Sequence, residues 1–202
     1  LDIDFGNDNL TIGGNFANSG TLSASNQTIT FSGSTQNTSS IINDNTVDLV
    51  VNKSSTGGVT FQGASSFDEV TVSDGYLDIG AYTFTADNTI SIAAAGTLRI
   101  PNSGTFNADG QLTTFGTIDF TGSGSQGDLI CSNTSANTFG SLDDAAGTVT
   151  FDGSTGAQAI PAETFFNLKH SNPNNLTMSG NATVNGELNF NVAAVLHTYA
   201  NT

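Results

Sequence analysis

T-V-T-F-D-G-S-T-G-A-Q occupies positions 148–158, and two earlier stretches nearly repeat it: T-I-T-F-S-G-S-T-Q at 28–36 and T-I-D-F-T-G-S-G-S-Q at 117–126. In each copy a branched residue and a phenylalanine alternate with polar positions: Ile29 with Phe31, Ile118 with Phe120, Val149 with Phe151. Period two is the signature of a strand with one buried face, so these six side chains are expected to point inward and the threonines outward. A glycine closes each copy, at Gly33, Gly122 and Gly153. Without a Cβ, it lets the chain turn a tight corner. The repeated text therefore reads as one strand plus its corner.

The same alternation recurs along the chain as Leu49/Val51, Val59/Phe61, Val70/Val72, Leu77/Ile79, Tyr82/Phe84, Ile90/Ile92, Leu98/Ile100, Phe166/Leu168, Leu176/Met178 and Leu188/Phe190. Turn formers separate the bursts, among them Asp74-Gly75, Asn102-Ser103-Gly104, Asp109-Gly110 and Asn185-Gly186. No window sustains a 3.6-residue period, and Ala93-Ala94-Ala95 is too brief to nucleate a helix. Short, evenly spaced strands admit an antiparallel β-sandwich or a right-handed parallel β-helix. Alignment of 28–80 with 148–190 favours the helix: T-I-T-F-S-G-S-T lies over T-V-T-F-D-G-S-T, D-L-V-V-N-K over N-L-K-H-S-N, and G-V-T-F-Q-G over N-L-T-M-S-G. A solenoid must present similar text from coil to coil, whereas a sandwich has no reason to. The expectation is one all-β solenoid domain over 1–202, with about 20–25 residues per coil and about eight to ten coils. Residues 192–202, V-A-A-V-L-H-T-Y-A-N-T, leave the pattern and read as a cap or an interface.

Composition narrows the chemistry. With 3 Lys+Arg against 18 Asp+Glu and a net charge of −15, the chain lacks the cations that grip a phosphate backbone, so nucleic acid is not an expected partner. The same charge disfavours an anionic membrane surface, and no apolar run is long enough for a membrane-spanning helix. The single cysteine, Cys131, follows Leu129 and Ile130 and reads as a small buried hydrophobe. His170 and His197 are the only histidines, stand outside any zinc-type spacing, and read as exposed polar residues.

Other motifs carry little chemistry. Gly122-Ser123-Gly124-Ser125-Gln126-Gly127 matches G-x-G-x-x-G, but D-L-I-C-S-N-T-S follows it where a dinucleotide site requires a helix. Asp44, Asp68, Glu69, Asp143 and Asp144 fall in turns and offer oxygen ligands for Ca²⁺, the one cofactor the composition suggests. Outward T-x-T text at Thr28/Thr30, Thr83/Thr85 and Thr148/Thr150 raises an ice-binding face. A polysaccharide hydrolase needs only two carboxylates. No long insertion interrupts the coils to build a cleft, and the expectation is a protein without catalysis.

The stretches 10–34 (L-T-I-G-G-N-F-A-N-S-G-T-L-S-A-S-N-Q-T-I-T-F-S-G-S), 147–154 (G-T-V-T-F-D-G-S), 165–169 (F-F-N-L-K) and 183–190 (T-V-N-G-E-L-N-F) resemble the repeat text of adhesin-like and autotransporter-like β-helical surface proteins of bacteria. The resemblance spans about two-thirds of the chain and concerns a style of repeat. It implies export, a parallel β-helix, and an extracellular role as adhesin, fibre, sheath or stalk. Such proteins run far longer, so a fragment, or a short subunit that assembles head to tail, is expected. Cell-surface glycans and other copies of the chain are the expected partners. A carbohydrate- or ice-binding module and a polysaccharide-degrading enzyme are the competing readings.

Overall fold

The structure is a computed structural model that describes residues 3–4, 6–19, 22–24, 26–54, 56–120, 127–143 and 146–191. Those residues contain strands and no helix, and every pair of strands runs parallel. Each strand lies on one found about 20 residues earlier in the chain, as Leu10, Ile29, Leu49, Val70, Ile90 and Leu112 show by pairing in succession. The chain is thus a β-solenoid of about eight turns, stacked at the ~4.8 Å spacing of hydrogen-bonded strands. A sandwich would pair its strands antiparallel.

Each coil visits three faces in turn. The first face carries Leu10–Ile12, Thr28–Gly33, Asp48–Lys53 and Leu112–Thr114; the second carries Gln36–Ser39, Gly58–Phe61, Thr117–Asp119 and Ser141–Asp143. Two long strands, Val70–Asp78 and Ile90–Arg99, run across both faces and join them into a 10-stranded sheet. Seven strands form the third face: Ser65–Phe67, Thr83–Ala86, Thr105–Ala108, Asp128–Cys131, Thr148–Phe151, Asn167–His170 and Leu188–Phe190. Gln158–Ile160 with Leu176–Met178, and Thr164–Phe165 with Thr183–Val184, continue the coil towards the C-terminal end.

The three copies of the opening text therefore lie on three different faces. Ile29 and Phe31 belong to the first, Ile118 to the second, Val149 and Phe151 to the third. All, with Phe120, are buried as expected. The text marks a strand before a corner, whichever corner that is. What stacks on T-I-T-F is D-L-V-V, and what stacks on T-V-T-F is N-L-K-H.

Inward side chains form continuous columns. Phe84, Phe106, Leu129, Val149, Leu168 and Leu188 are paired neighbours on the third face. Phe61, Phe67, Phe84 and Phe106 pack with ring centroids 5.2–5.8 Å apart, partly stacked and partly edge-on. Each fully buried side chain of this size contributes roughly 1.5–3 kcal/mol. The pattern is broken at Tyr82, which is exposed beside buried Phe84, and at Phe166, where Phe165 is the inward residue. Asp74-Gly75 and Ala93-Ala94-Ala95 lie inside the two long strands, which carry the chain through the corner without ending.

Glycine shapes the corner between the first and second faces. Gly33 turns with φ +90°, a conformation L side chains rarely adopt, and Gly75 with φ +76°. Further along the corner the reason is proximity: a Cβ on Gly96 would lie 2.4 Å from the Val72 carbonyl oxygen, and one on Gly116 2.2 Å from that of Gly96. Gly140 meets Gly116 in the same way. The column exists because each coil presses backbone on backbone. Gly153 also has its neighbour too close for a side chain, with an added Cβ 2.6 Å from Ser132 O. Gly122 lies outside the described residues, as do most of the G-x-G-x-x-G stretch and the segment 192–202.

Candidate functional site

The outward side chains of the third face enclose a groove of about 400 Å³ near its C-terminal end. Two outward rows build it. Asp128, Thr148 and Asn167 are register neighbours, and beside them run Ile130, Thr150, Lys169 and Asn189. Asp152 and Ser171, just past the ends of their strands, and Glu187, just before the last one, complete the lining. Alternation fixes this arrangement: if Val149, Phe151 and Leu168 point in, then Thr148, Thr150 and Lys169 must point out.

Electrostatically the groove is acidic with one cation in its middle. Burial holds the Asp128 carboxyl above its ordinary value, opposed by the hydrogen bond with Thr148 and the positive charge of Lys169. Asp152 Oδ1 and Ser171 Oγ are buried atoms that make no hydrogen bond among the described residues. A buried polar atom left without a partner costs about 1–3 kcal/mol, and more when charged. Both residues belong to the groove lining, while these two atoms themselves are closed to solvent. The groove is of a size to hold a ligand, since pockets of roughly 300–1,000 Å³ take small molecules or one or two units of a polymer.

The five acidic residues expected to hold Ca²⁺ are scattered. Asp44 accepts hydrogen bonds from the backbone N–H (3.1 Å) and hydroxyl (2.7 Å) of Thr46, closing its own turn. Asp68 accepts from the Asn88 side chain. Glu69 is exposed nearby, Asp143 sits on the second face, and Asp144 lies outside the described residues. Among the described residues no three His, Cys, Asp or Glu side chains gather as a metal site would require. A looser acidic ridge does form, where Asp48 faces Glu69 and Asp68, and Asp87 faces Asp109 and Asp68.

The threonine pairs also separate. Thr28 and Thr30 lie on the first face, whereas Thr83, Thr85, Thr148 and Thr150 lie on the third. In register with Thr28 and Thr30 are Asp48 and Val50, so the array is not repeated in every coil.

One expectation fails. His170 is fully buried, stacked beneath Phe151 and meeting the Phe190 ring edge-on at 6.2 Å. It occupies an inward position because Leu168 two residues earlier does. His197 is outside the described residues. Cys131 is buried as expected, with burial and nearby Asp152 pushing its thiol well up.

Comparison with known proteins finds no matching family model, no matching curated protein and no matching solved structure.

Proposed function

We propose that this chain is a rod-like segment of an extracellular surface protein, an adhesin, whose third face holds a hydroxyl-rich chain such as a cell-surface polysaccharide without cleaving it. The observation that carries the reading is the groove itself, whose lining is mostly polar side chains, among them Asp128, Thr148, Thr150, Asp152, Lys169 and Asn189. Sugar hydroxyls both donate and accept, which suits a lining of carboxylates, amides and hydroxyls. Amide and hydroxyl groups of Asn167, Asn189, Thr148 and Thr150 supply the adaptable hydrogen bonds that fix a sugar's orientation, and the open face lets a polymer extend past either end.

A panel of neutral and amino-sugar polysaccharides, titrated by calorimetry, tests this. The expected result is binding to at least one, weakened about tenfold by Asp152→Ala, consistent with loss of one charge-assisted hydrogen bond. No binding, or binding unchanged in the variant, overturns it. Release of reducing ends would instead identify a hydrolase using the groove carboxylates.

A second partner is another copy of the chain. Leu188 belongs to an inward row of the last described strand, yet it is 50% exposed. A parallel ladder accepts further strands at its ends, and head-to-tail addition of copies yields open filaments. Electron microscopy at rising concentration separates single rods from filaments.

A further inference from the structure

Lys53 ends the strand Asp48–Lys53 and is turned inward at the glycine corner, 1% exposed. Among the described residues no carboxylate pairs with it; Arg99 with Asp119 is the ion pair present there. Its ammonium donates to the Ser32 carbonyl oxygen at 2.6 Å and contacts the side-chain carbonyl oxygen of Asn37. Asn37, 6% exposed, belongs to the preceding coil in the strand Gln36–Ser39. The amide is steered from both sides. Its Nδ2 donates to Asn15 Oδ1 at 3.4 Å, and the Thr35 hydroxyl donates to Asn37 Oδ1 at 3.5 Å. Gly75 of the next coil roofs the lysine so closely that a Cβ there would lie 2.7 Å from Lys53 Cβ.

A buried amine facing only neutral oxygens is costly as a cation. Burial accordingly lowers its pKa, which makes the neutral, nucleophilic form easier to reach than for an exposed lysine. The carbonyl carbon of Asn37 lies one C=O bond, ~1.23 Å, beyond the oxygen that the amine already contacts. Lys53 is 1% and Asn37 6% exposed, so bulk water has little access to the amide.

We propose that Lys53 and Asn37 join in an intramolecular isopeptide bond. The neutral Nζ adds to Cγ of Asn37, and the Thr35 hydroxyl hydrogen-bonds the oxygen as negative charge develops on it. The Cγ–Nδ2 bond then breaks, one proton passes from Nζ to Nδ2, and ammonia leaves. An amine and a carboxamide become a secondary amide plus ammonia, with nothing oxidised or reduced. The link staples one coil to the coil before it, across 16 residues.

Intact-mass measurement and tryptic mapping of the denatured full chain test this. Trypsin cuts after Lys53, Arg99 and Lys169 in an unlinked chain. The expected result is a mass about 17 Da below the sequence value, the mass of one ammonia, with residues 1–99 recovered as one uncut peptide carrying the whole deficit. In Lys53→Met the deficit disappears although 1–99 stays uncut, and in Asn37→Ala the deficit disappears and the cut returns. These readouts hold whether or not either variant folds. The full sequence mass with free peptides 1–53 and 54–99, or a gain of about one mass unit at Asn37 by simple deamidation, overturns the proposal.

Discussion

The central coils, from Val70 to Asp119, and the C-terminal coils, from Thr148 to Phe190, use the same strand text for different ends. In the centre two long strands pair across both faces, glycine backbones touch at the corner, and the inward positions are mostly Phe, Ile, Leu, Val and Ala, with Thr114 the buried polar side chain among them. Towards the C-terminal end the pairing outside the third face breaks into two-stranded pieces, and more polar groups enter the interior: Gln158, His170 and Asn172 are all buried. Gln158 there satisfies the backbone at Cys131 O, Asn133 O and Gly153 N, with 2.7–2.9 Å hydrogen bonds. The groove lies on the third face, where the ladder stays continuous through Leu188–Phe190 while the other faces break up. The difference shows that a solenoid's stiffness is set by what stacks on each strand.

The largest expected effect separates the two regions by their cores. Phe84→Ala removes a ring in contact with three other phenylalanines and should destabilise by about 3–5 kcal/mol. Phe190→Ala, at a partly exposed position of the last described coil, should cost less than about 1 kcal/mol. Urea unfolding of both variants checks this. Equal losses would mean that the last coil is covered in solution and that the contrast between shaft and end is false.

Next comes the corner. Gly116→Ala forces a Cβ to within 2.2–2.3 Å of the Gly96 and Ala93 carbonyl oxygens, backbone atoms that cannot move aside independently. A loss of about 3 kcal/mol is expected, at the upper end of overpacking effects. Gly156→Ala, whose Cβ would meet only Thr134 Cγ2 at 3.4 Å, should stay within about 0.5 kcal/mol. Thermal melts decide the point. A mild Gly116→Ala would show that coils can slide apart at the corner, and that the glycine column is not what sets their spacing.

The shaft is more legible in the amino-acid sequence than the groove. Alternation marks the inward rows, and turn formers mark most corners, because those are local signals. The glycine column is not a local signal, since Gly75, Gly96, Gly116 and Gly140 meet only after stacking. The groove escapes sequence reading for the same reason: Asp128, Thr148, Asn167 and Glu187 are about 20 residues apart, and each alone looks like a solvated outward residue. Lys53 and His170 are different. D-L-V-V-N-K and N-L-K-H place them on the inward parity of Leu49, Val51 and Leu168, so the signal is present and their polarity masks it. Asn37 has no apolar neighbours to mark Q-N-T-S as a strand.

The smallest effect concerns how each region handles its acids. Burial, then Asp109 and Asp68, raise the carboxyl of Asp87, with the Asn45 hydrogen bond opposing; burial, then Glu69, raise that of Asp48. Their folded values exceed the ordinary 3.8, so the stability they contribute is complete below pH 3.8 and is lost as pH rises through the folded values. In the groove, by contrast, Lys169 and Thr148 offset the burial of Asp128. Asp109→Asn removes a like charge facing Asp87, so at pH 7 the variant should be more stable than the parent, by less than about 1 kcal/mol because these groups are partly solvated. The gain should shrink at pH 3, where the raised carboxyl of Asp87 takes up its proton in both proteins, and should shrink in 0.5 M salt, which screens charges beyond a few ångströms. Thermal melts at the two pH values give the comparison. A gain that persists at pH 3 would point to the amide's own contacts, and the central coils would then be held together despite no measurable charge repulsion.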